Sequence, residues 1–379
     1  MAENERLGEA LGKIFTENLG ATTGERVLIF TDTIPDGLVV NEVERSRREG
    51  LLIIARFAAD AGRRLGMDVV YTDFPALGSH GIEPGTELWR LAFGSGAASE
   101  LEKTGLLDLL REKRAGAADI QRAREVVQLF KNEAVDAVIA LSNHSTSHTR
   151  FRDLLTSVAG VRYASMPLFE VDMLWGSMSA DWGAIEKRSR LVASVVDGAS
   201  RARITTPDGT DITFSIEGRA PMLDTGMLKE PGSFSNLPAG EVYLAPVEGT
   251  AEGVLVLNWA PNRKLVSPIK VRVYNGRAHE VSGDEPFVAE FIGNLDRFPD
   301  NRNLAELGIG MNDRASRPDN VLESEKILGT IHIAFGDNSS MGGKVSTPFH
   351  QDFVFFQPTL TVEKNGLAQA IIIDGRLTD

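Results

Sequence analysis

Three short apolar runs in the first half of the chain lack the polar alternation of a half-exposed strand. They are Arg26-Val-Leu-Ile-Phe-Thr31, Asp68-Val-Val-Tyr-Thr72 and Val135-Asp-Ala-Val-Ile-Ala-Leu141. Segments typical of helices separate them, notably residues 51–65 and 119–133. A strand that is apolar on both faces must be covered on both faces, as in a parallel sheet between layers of helices. The first half therefore predicts a parallel-sheet α/β domain.

The second half has a different pattern, with alternating strands joined at tight turns. Such hairpin patterns occur at residues 204–214 around Pro207-Asp-Gly209, at 271–281 around Asn275-Gly276 and at 360–373 around Asn365-Gly366. A helix is predicted near residues 285–292. A chain of 379 residues is long enough for two cores. We therefore predict an α/β domain over residues 1–190 and a mixed, β-rich α+β domain over residues 191–379.

Composition excludes several classes of function. The formal net charge is −13 and no dense Lys/Arg cluster occurs, which argues against a nucleic-acid partner. The absence of cysteine excludes disulfides, thiolate metal sites and cysteine nucleophiles. The first residues are polar and acidic, unlike a secretory signal, and no run approaches the roughly 20 apolar residues of a membrane span. The sequence predicts a cytoplasmic protein with no membrane partner.

A compact group of histidines and a carboxylate lies near the end of the chain, although the chain has only six histidines. His332 lies in Gly329-Thr-Ile-His-Ile-Ala-Phe-Gly336, and His350-Gln-Asp352 follows within an apolar run. Alternate residues of an extended segment share one face, so His350 and Asp352 can point into one cavity. Neutral imidazoles with a carboxylate suit Zn, Co, Mn or Fe. The alternative is that all three are structural residues of strands.

Two glutamates upstream favour the metal interpretation. Glu241 begins an apolar run after a Pro- and Gly-rich loop, in Asn236-Leu-Pro-Ala-Gly-Glu-Val-Tyr-Leu-Ala-Pro246. Glu306 is enclosed by apolar residues and glycines, in Asn303-Leu-Ala-Glu-Leu-Gly-Ile-Gly310. A carboxylate is costly to bury unless it is paired or binds a metal. We expect both carboxylates to join the histidines.

With these segments the chain resembles the aminopeptidase T family, the M29 metallopeptidases. That family carries Gly-Glu-(Val or Ile)-aromatic-x-Ala-Pro, Ala-Glu-Leu-Gly-Ile-Gly, Gly-Thr-x-His-Ile-Ala and His-x-Asp in this order, and all four occur here. The first half is also similar, in Ser145-Thr-Ser-His-Thr149 and in Gly160-Val-Arg-Tyr-Ala-Ser-Met-Pro167. The resemblance covers most of the chain.

The resemblance implies a metal-dependent aminopeptidase that acts on peptides or other small substrates as a homodimer. It implies two divalent ions, Zn or Co with Mn, Mg or Fe as alternatives, which would activate water and bind the substrate amine. Glu241 and Glu306 take the catalytic positions, with Glu306 as the bridge. The implied metal ligands are Glu241, Glu306, His332, His350 and Asp352.

One position departs from the peptidase pattern. The family has a tyrosine seven residues after the first histidine, where this chain has Ser339. Related ring-cleaving dioxygenases of dihydroxypyridines use two histidines and one aspartate on a single Fe(II), and His332, His350 and Asp352 could supply that set. A metal-binding protein that has lost turnover is a third alternative.

His144 and His148 stand four residues apart after a buried strand. On a helix that spacing would place both on one face, but the glutamate of a His-Glu-x-x-His zinc site is missing. The segment either lines a crevice at the end of the sheet or caps the helix that follows.

Overall fold

The computed structural model describes residues 2–378, which form two compact units. The first contains the described residues up to Trp182 together with Gly226–Leu237. The second contains Gly183–Thr225 and the described residues from Pro238 onward. The division predicted at residues 190 and 191 stays a proposal for the domain boundary. The compact units assign residues 183–190 to the second unit and residues 226–237 to the first.

The first unit is built on a five-stranded sheet, whose strands are β1 Arg26–Thr33, β2 Asp68–Pro75, β3 Ala137–Ala140, β4 Arg162–Ser165 and β8 Phe234–Asn236. They lie in the order β2-β1-β3-β4-β8, and every pair is parallel. Its helices are α1 Ala2–Lys13, α2 Glu42–Arg64, α3 Thr86–Phe93, α4 Ser95–Lys103, α5 Leu106–Arg111, α6 Ala117–Leu129 and α7 Arg150–Leu154. This arrangement confirms the predicted parallel-sheet α/β fold.

Aromatic side chains fill the core between this sheet and its helices. The rings of Trp89 and Phe93 stack at 5.0 Å between centroids, and Phe151 packs edge-on against both. Phe30 brings β1 into the same cluster, and these four side chains are at most 1% exposed. The apolar runs in β1 and β3 are therefore buried on both faces, as a parallel sheet requires, whereas the edge strand β2 is only partly buried.

The second unit contains two antiparallel sheets. Their strands are β5 Arg201–Thr205, β6 Asp211–Ser215, β7 Met222–Asp224, β9 Glu241–Leu244, β10 Glu252–Ala260, β11 Arg263–Tyr274, β12 Arg277–Ser282, β13 Leu304–Gly310, β14 Ile331–Gly336, β15 His350–Phe355, β16 Thr359–Lys364, β17 Leu367–Ile373 and β18 Arg376–Leu377. One sheet has eight strands in the order β12-β11-β10-β6-β5-β16-β17-β18, and the other has five in the order β15-β14-β13-β9-β7. The helices are α8 Trp182–Val196, which begins at the last residue of the first unit, α9 Phe287–Arg297 and α10 Val321–Ser324.

The predicted hairpins are present in the larger sheet. β5 pairs with β6, β11 with β12 and β16 with β17, all antiparallel. At two of the turns Asn275 and Asn365 have positive φ angles, and so do the glycines that follow them. This backbone is that of a two-residue hairpin turn, for which Asn-Gly is the preferred sequence. The predicted β-rich second half is confirmed.

Among residues 2–378, none of the helices is both long enough and apolar enough to span a lipid bilayer.

Candidate metal centre

The five-stranded antiparallel sheet, β15-β14-β13-β9-β7, has one apolar face and one polar face. Residues that pair across strands share a face, and the register places Glu306, Ala334 and Asp352 in one row. By the same alternation, Glu241, His332 and His350 lie on that face. The opposite face carries Val242, Leu244, Leu307, Ile309, Ile331, Ile333, Phe335, Phe353 and Phe355. Strand alternation and the cross-strand register together place all five predicted ligands on one side of one sheet.

The apolar face is covered by α9. The ring of Phe291 lies 4.9 Å from that of Phe353 and 5.9 Å from that of Phe335, measured between centroids. Phe287 stacks on Phe291 at 6.0 Å and also contacts Phe353. This packing holds β14 and β15 from behind while their polar side chains point to the other side.

Small residues on the polar face make room for the ligands. Gly308 pairs with His332 across β13 and β14, and a Cβ at residue 308 would lie only 1.9 Å from His332 Nε2. The imidazole therefore lies directly over the glycine. Ala334 and Gly336, in the same strand as His332, pair with Asp352 and His350. A larger side chain at residue 308 would displace the ring.

Glu306 is the carboxylate that contacts both histidines. Its Oε1 lies 3.4 Å from His332 Nε2, and its Oε2 lies 3.1 Å from His350 Nε2. Asp352 Oδ1 lies 3.5 Å from His350 Nε2. The ligating atoms form two overlapping groups, Glu241 with Glu306 and His332, and Glu306 with His350 and Asp352, each within 4.8 Å. The structure thus contains a His and carboxylate group that could hold a metal, with Glu306 common to both parts.

The ring of His350 is oriented by the backbone. Its Nδ1 lies 2.7 Å from the carbonyl oxygen of Asp337, and because a carbonyl only accepts, Nδ1 carries the proton and donates it. Nε2 is thereby left to face Glu306 and Asp352. A histidine that binds a metal through one nitrogen usually donates its other N–H in this way.

Unsatisfied atoms show that these residues fit a metal. Among the described residues, Glu241 Oε2, Asp352 Oδ1 and His332 Nδ1 are buried side-chain atoms without a hydrogen-bond partner. Buried polar atoms are costly to leave unpaired. Two of the three are carboxylate oxygens that belong to the group around Glu306, where oxygen and nitrogen donors converge. That donor set matches the ligands preferred by first-row divalent metals.

The electrostatics of the group favour positive charge. Burial alone lowers the pKa of His332, but the carboxylates of Glu306 and Glu241 outweigh burial and raise this pKa to about 9. Burial also lowers the pKa of His350, but the nearby carboxylates, Asp352 most of all, raise this pKa well above its usual range. Burial raises the pKa of Glu306, yet the two histidines bring it far below its ordinary value. A divalent ion would replace the protons that the imidazoles hold in this arrangement.

Lys326 belongs to the same group and was not predicted. Its side chain is 1% exposed, and its Nζ donates to Glu241 Oε1 at 2.8 Å and to Glu325 Oε2 at 3.0 Å. Burial raises the pKa of Glu325 to about 7. No sequence pattern marks this lysine, because it lies in an ordinary polar stretch 85 residues from Glu241.

Two hydroxyl-bearing residues bear on the missing tyrosine. Ser339, at the position of the peptidase tyrosine, is exposed and donates from its hydroxyl to Asp337 Oδ1 at 2.9 Å. Tyr243 was not singled out, but it pairs with Gly308 and so lies on the polar face of the sheet. Burial and the charges of Asp224 and Glu241 raise the pKa of Tyr243. The polar face therefore carries a phenol, supplied by β9.

A separate polar cluster lies in the first unit, at the carboxyl ends of β1 and β3. Asp32 Oδ2 lies 3.1 Å from His144 Nδ1 and also accepts the backbone N–H of His144 at 3.0 Å. The segment between β3 and α7 is irregular, so His144 and His148 do not share a helical face. Thr149 caps α7 by accepting from Arg152 N. The sequence missed Asp32, for which its place near the end of a buried parallel strand was the available signal.

Fold and site define a protein with one α/β unit and one β-rich unit. An antiparallel sheet of the β-rich unit carries a group of histidine and carboxylate side chains that could hold a metal. The family model described as NicX, 2,5-dihydroxypyridine 5,6-dioxygenase, matches residues 107–379. This match covers well over half of the chain, and the chain belongs to that family.

One curated relative agrees with this assignment. A 2,5-dihydroxypyridine 5,6-dioxygenase of Pseudomonas putida is 24% identical over 188 residues, which cover 44% of this chain and 52% of that protein. The chain therefore spans about half the length of the curated relative it matches.

Two solved structures share the fold. The 2,5-dihydroxypyridine dioxygenase of Pseudomonas putida KT2440 has a TM-score of 0.69 at 17% identity, covering 99% of this chain and 97% of that chain. AmpT from Thermus thermophilus has a TM-score of 0.56 at 16% identity, covering 99% of both chains. At these identities the likeness concerns the fold alone.

The predicted aminopeptidase activity is wrong, and with it the assignment as a hydrolase or protease. The match to AmpT confirms the predicted fold relationship, whereas the family model and the curated relative both name a dioxygenase. The physical reason is that the pattern of histidines and carboxylates specifies a metal-binding face of a sheet. It does not specify the reaction carried out there. The absent tyrosine was the one position in the sequence that departed from the peptidase pattern.

Proposed function

We propose that this protein is an Fe(II)-dependent dioxygenase that opens a hydroxylated pyridine ring. The observation that carries the proposal is membership of the 2,5-dihydroxypyridine 5,6-dioxygenase family over residues 107–379. In a reaction of that name, the bond between ring carbons 5 and 6 breaks and each carbon gains one oxygen atom. The ring loses the four electrons that dioxygen takes up, so no separate reductant is required.

The metal is proposed to be one Fe(II) held at Glu306. Two histidines and one carboxylate with open positions are the usual ligands of non-haem iron oxygenases. Glu306 is the carboxylate that contacts both His332 and His350, so we propose it as the carboxylate ligand in place of Asp352 of the alternative iron set His332, His350 and Asp352. Asp352, beside His350, supplies a further oxygen. Bound there, Fe(II) would supply the one-electron chemistry through which dioxygen can react with an organic ring.

The protein's own contribution is to hold these donors in place. His332 and Glu306 are 1% and 7% exposed, so their positions are fixed by packing and largely shielded from water. The carbonyl of Asp337 fixes the ring orientation of His350. Such preorganisation keeps the ligands in one geometry through a reaction.

Oxygen uptake tests the proposed reaction. The purified chain is reconstituted with Fe(II) without oxygen, supplied with 2,5-dihydroxypyridine, and then exposed to dioxygen in an oxygen-electrode cell. We expect one dioxygen consumed for each ring lost, with no added reductant. Tight iron binding without substrate-dependent oxygen uptake would contradict the proposal and favour a metal-binding protein without turnover.

Substitution of the carboxylates tests the ligand set. We expect Glu306→Gln to weaken iron binding by at least about tenfold, because it removes the charge shared by both histidines. Asp352→Asn should weaken it less. The matched control is Glu280→Gln, the same chemical change at a residue whose side chain is 71% exposed, and it should leave iron affinity unchanged. Full iron affinity in Glu306→Gln would exclude Glu306 as a ligand.

The substrate class, the cellular location and the oligomeric state are also proposals. The substrate is a small aromatic molecule, and the protein acts as a cytoplasmic homodimer. Sedimentation of the purified chain measures whether it is a dimer.

A further inference from the structure

Lys326 is a full-length lysine buried beside the proposed metal ligands. Its ammonium contacts Glu241 at 2.8 Å and Glu325 at 3.0 Å, and its side chain is 1% exposed. A buried charge is costly unless it is paired and hydrogen-bonded. Lys326 meets this condition through its two carboxylate partners, and the fold thereby holds a positive charge next to Glu241.

The two carboxylate oxygens of Glu241 have different surroundings. Oε1 accepts from Lys326 Nζ, while Oε2 lies 3.5 Å from His332 Nε2 and has no hydrogen-bond partner among the described residues. Glu241, Glu306 and His332 form one of the two overlapping ligand groups, and the other contains Glu306, His350 and Asp352. By donor type alone, the face could accommodate one ion in each group with Glu306 shared.

We propose that Lys326 limits this centre to a single divalent ion by occupying Glu241 in place of a second one. The inference rests on the proposed metal centre at Glu306. An ammonium hydrogen-bonded to Glu241 already satisfies one of its oxygens and compensates its negative charge. A second dication bound to the same carboxylate would face that ammonium across a few ångströms in a poorly hydrated interior, where like charges repel strongly.

The proposal explains how one set of donors can serve a one-metal reaction. Iron oxygenases of the two-histidine type use one ion with open positions, whereas hydrolytic sites often pair two ions. With Lys326 on Glu241, the group around Glu306, His350 and Asp352 remains available, and His332 can add its nitrogen. Lys326 is thus a positioning residue that acts through Glu241.

The test is the metal stoichiometry of Lys326→Met, with Mn(II) as the probe. The substitution keeps a long apolar side chain and removes the charge. Equilibrium dialysis followed by elemental analysis should give one Mn(II) per wild-type chain and two per Lys326→Met chain. Electron paramagnetic resonance should show coupling between two ions only in the variant, because ions that share a carboxylate lie about 3.5 to 4 Å apart.

Two further variants make the result specific. Glu325→Gln removes the other partner of Lys326 but keeps the ammonium on Glu241, so it should still bind one ion. The double variant Glu325→Gln with Lys326→Met leaves one buried carboxylate fewer and serves if the single variant does not fold. It should bind two ions.

Two ions in the wild-type chain would overturn the inference, and so would one ion in both chains that lack the lysine. The proposed reaction is tested separately, because oxygen uptake with 2,5-dihydroxypyridine is measured on the wild-type protein. A chain that binds one Mn(II), gains a second in Lys326→Met and shows no ring cleavage would support the inference and refute the reaction.

Discussion

At the residue scale, the position of His332 depends on a glycine in the neighbouring strand. Gly308 lies opposite His332, and the imidazole occupies the space that a Cβ at residue 308 would fill. The nearest atom of the ring, Nε2, is also the atom that faces Glu306 and Glu241. The absence of a side chain is therefore part of the proposed metal site.

We predict that Gly308→Ala weakens metal binding by at least about tenfold, because the new methyl group must push the imidazole away from Glu306. Mn(II) affinity by calorimetric titration is the measurement. The matched control is Gly293→Ala on α9, where no atom lies within 4 Å of the added Cβ. It should bind Mn(II) normally and gain up to about 1 kcal/mol of stability from helix propensity. Unchanged affinity in Gly308→Ala would show that the ring does not depend on this space.

The sequence locates the candidate ligands better than it locates their neighbours. His350 and Asp352 were expected to share a face because extended residues alternate, and β15 places them so. Lys326 and Gly308 could not be found in this way. Lys326 reaches Glu241 across 85 residues of chain, and the role of Gly308 becomes visible only when the register of β13 and β14 is known.

At the element scale, the two faces of the five-stranded antiparallel sheet have different roles, one in stability and the other in the proposed chemistry. Its apolar face packs against the phenylalanines of α9, and its polar face carries the proposed ligands. Changes on the two faces should have different consequences.

We predict that Phe291→Ala lowers the free energy of unfolding by about 3 to 5 kcal/mol, the usual result of truncating a fully buried phenylalanine. Phe291 is 0% exposed and contacts Phe335 and Phe353. Urea denaturation followed by circular dichroism gives the free energy. Glu290→Ala, at the exposed neighbouring position of α9, is the control and should change it by less than about 0.5 kcal/mol. A loss below about 1 kcal/mol in Phe291→Ala would contradict the assigned packing.

Local patterns predicted the hairpins but not the pairing of distant strands. Asn275-Gly276 and Asn365-Gly366 fix their turns through positive φ angles, which is a local property of these residues. β8 instead joins the parallel sheet beside β4 although its residues follow strands of the second unit in sequence. The three residues of β8 are too few to show a periodicity that would predict this pairing.

At the scale of the whole molecule, metal binding should stabilise the second unit selectively. A ligand that binds only the native state raises the free energy of opening of the structure that holds it. We predict that saturating Mn(II) slows hydrogen exchange in β13 and β14 and leaves exchange in β1 and β3 unchanged. Exchange measured by mass spectrometry with and without Mn(II) resolves these segments. Unchanged exchange in β13 and β14 would place the metal elsewhere.

The fate of dioxygen tests the central claim most directly. The Fe(II)-loaded protein is given 2,5-dihydroxypyridine under isotopically labelled dioxygen, and the ring-opened product is examined by mass spectrometry. If the protein is a ring-cleaving dioxygenase, both labelled atoms appear in each product molecule and none comes from water, apart from slow exchange that a control in labelled water measures. Product with a single labelled atom, or an intact ring, would contradict the account.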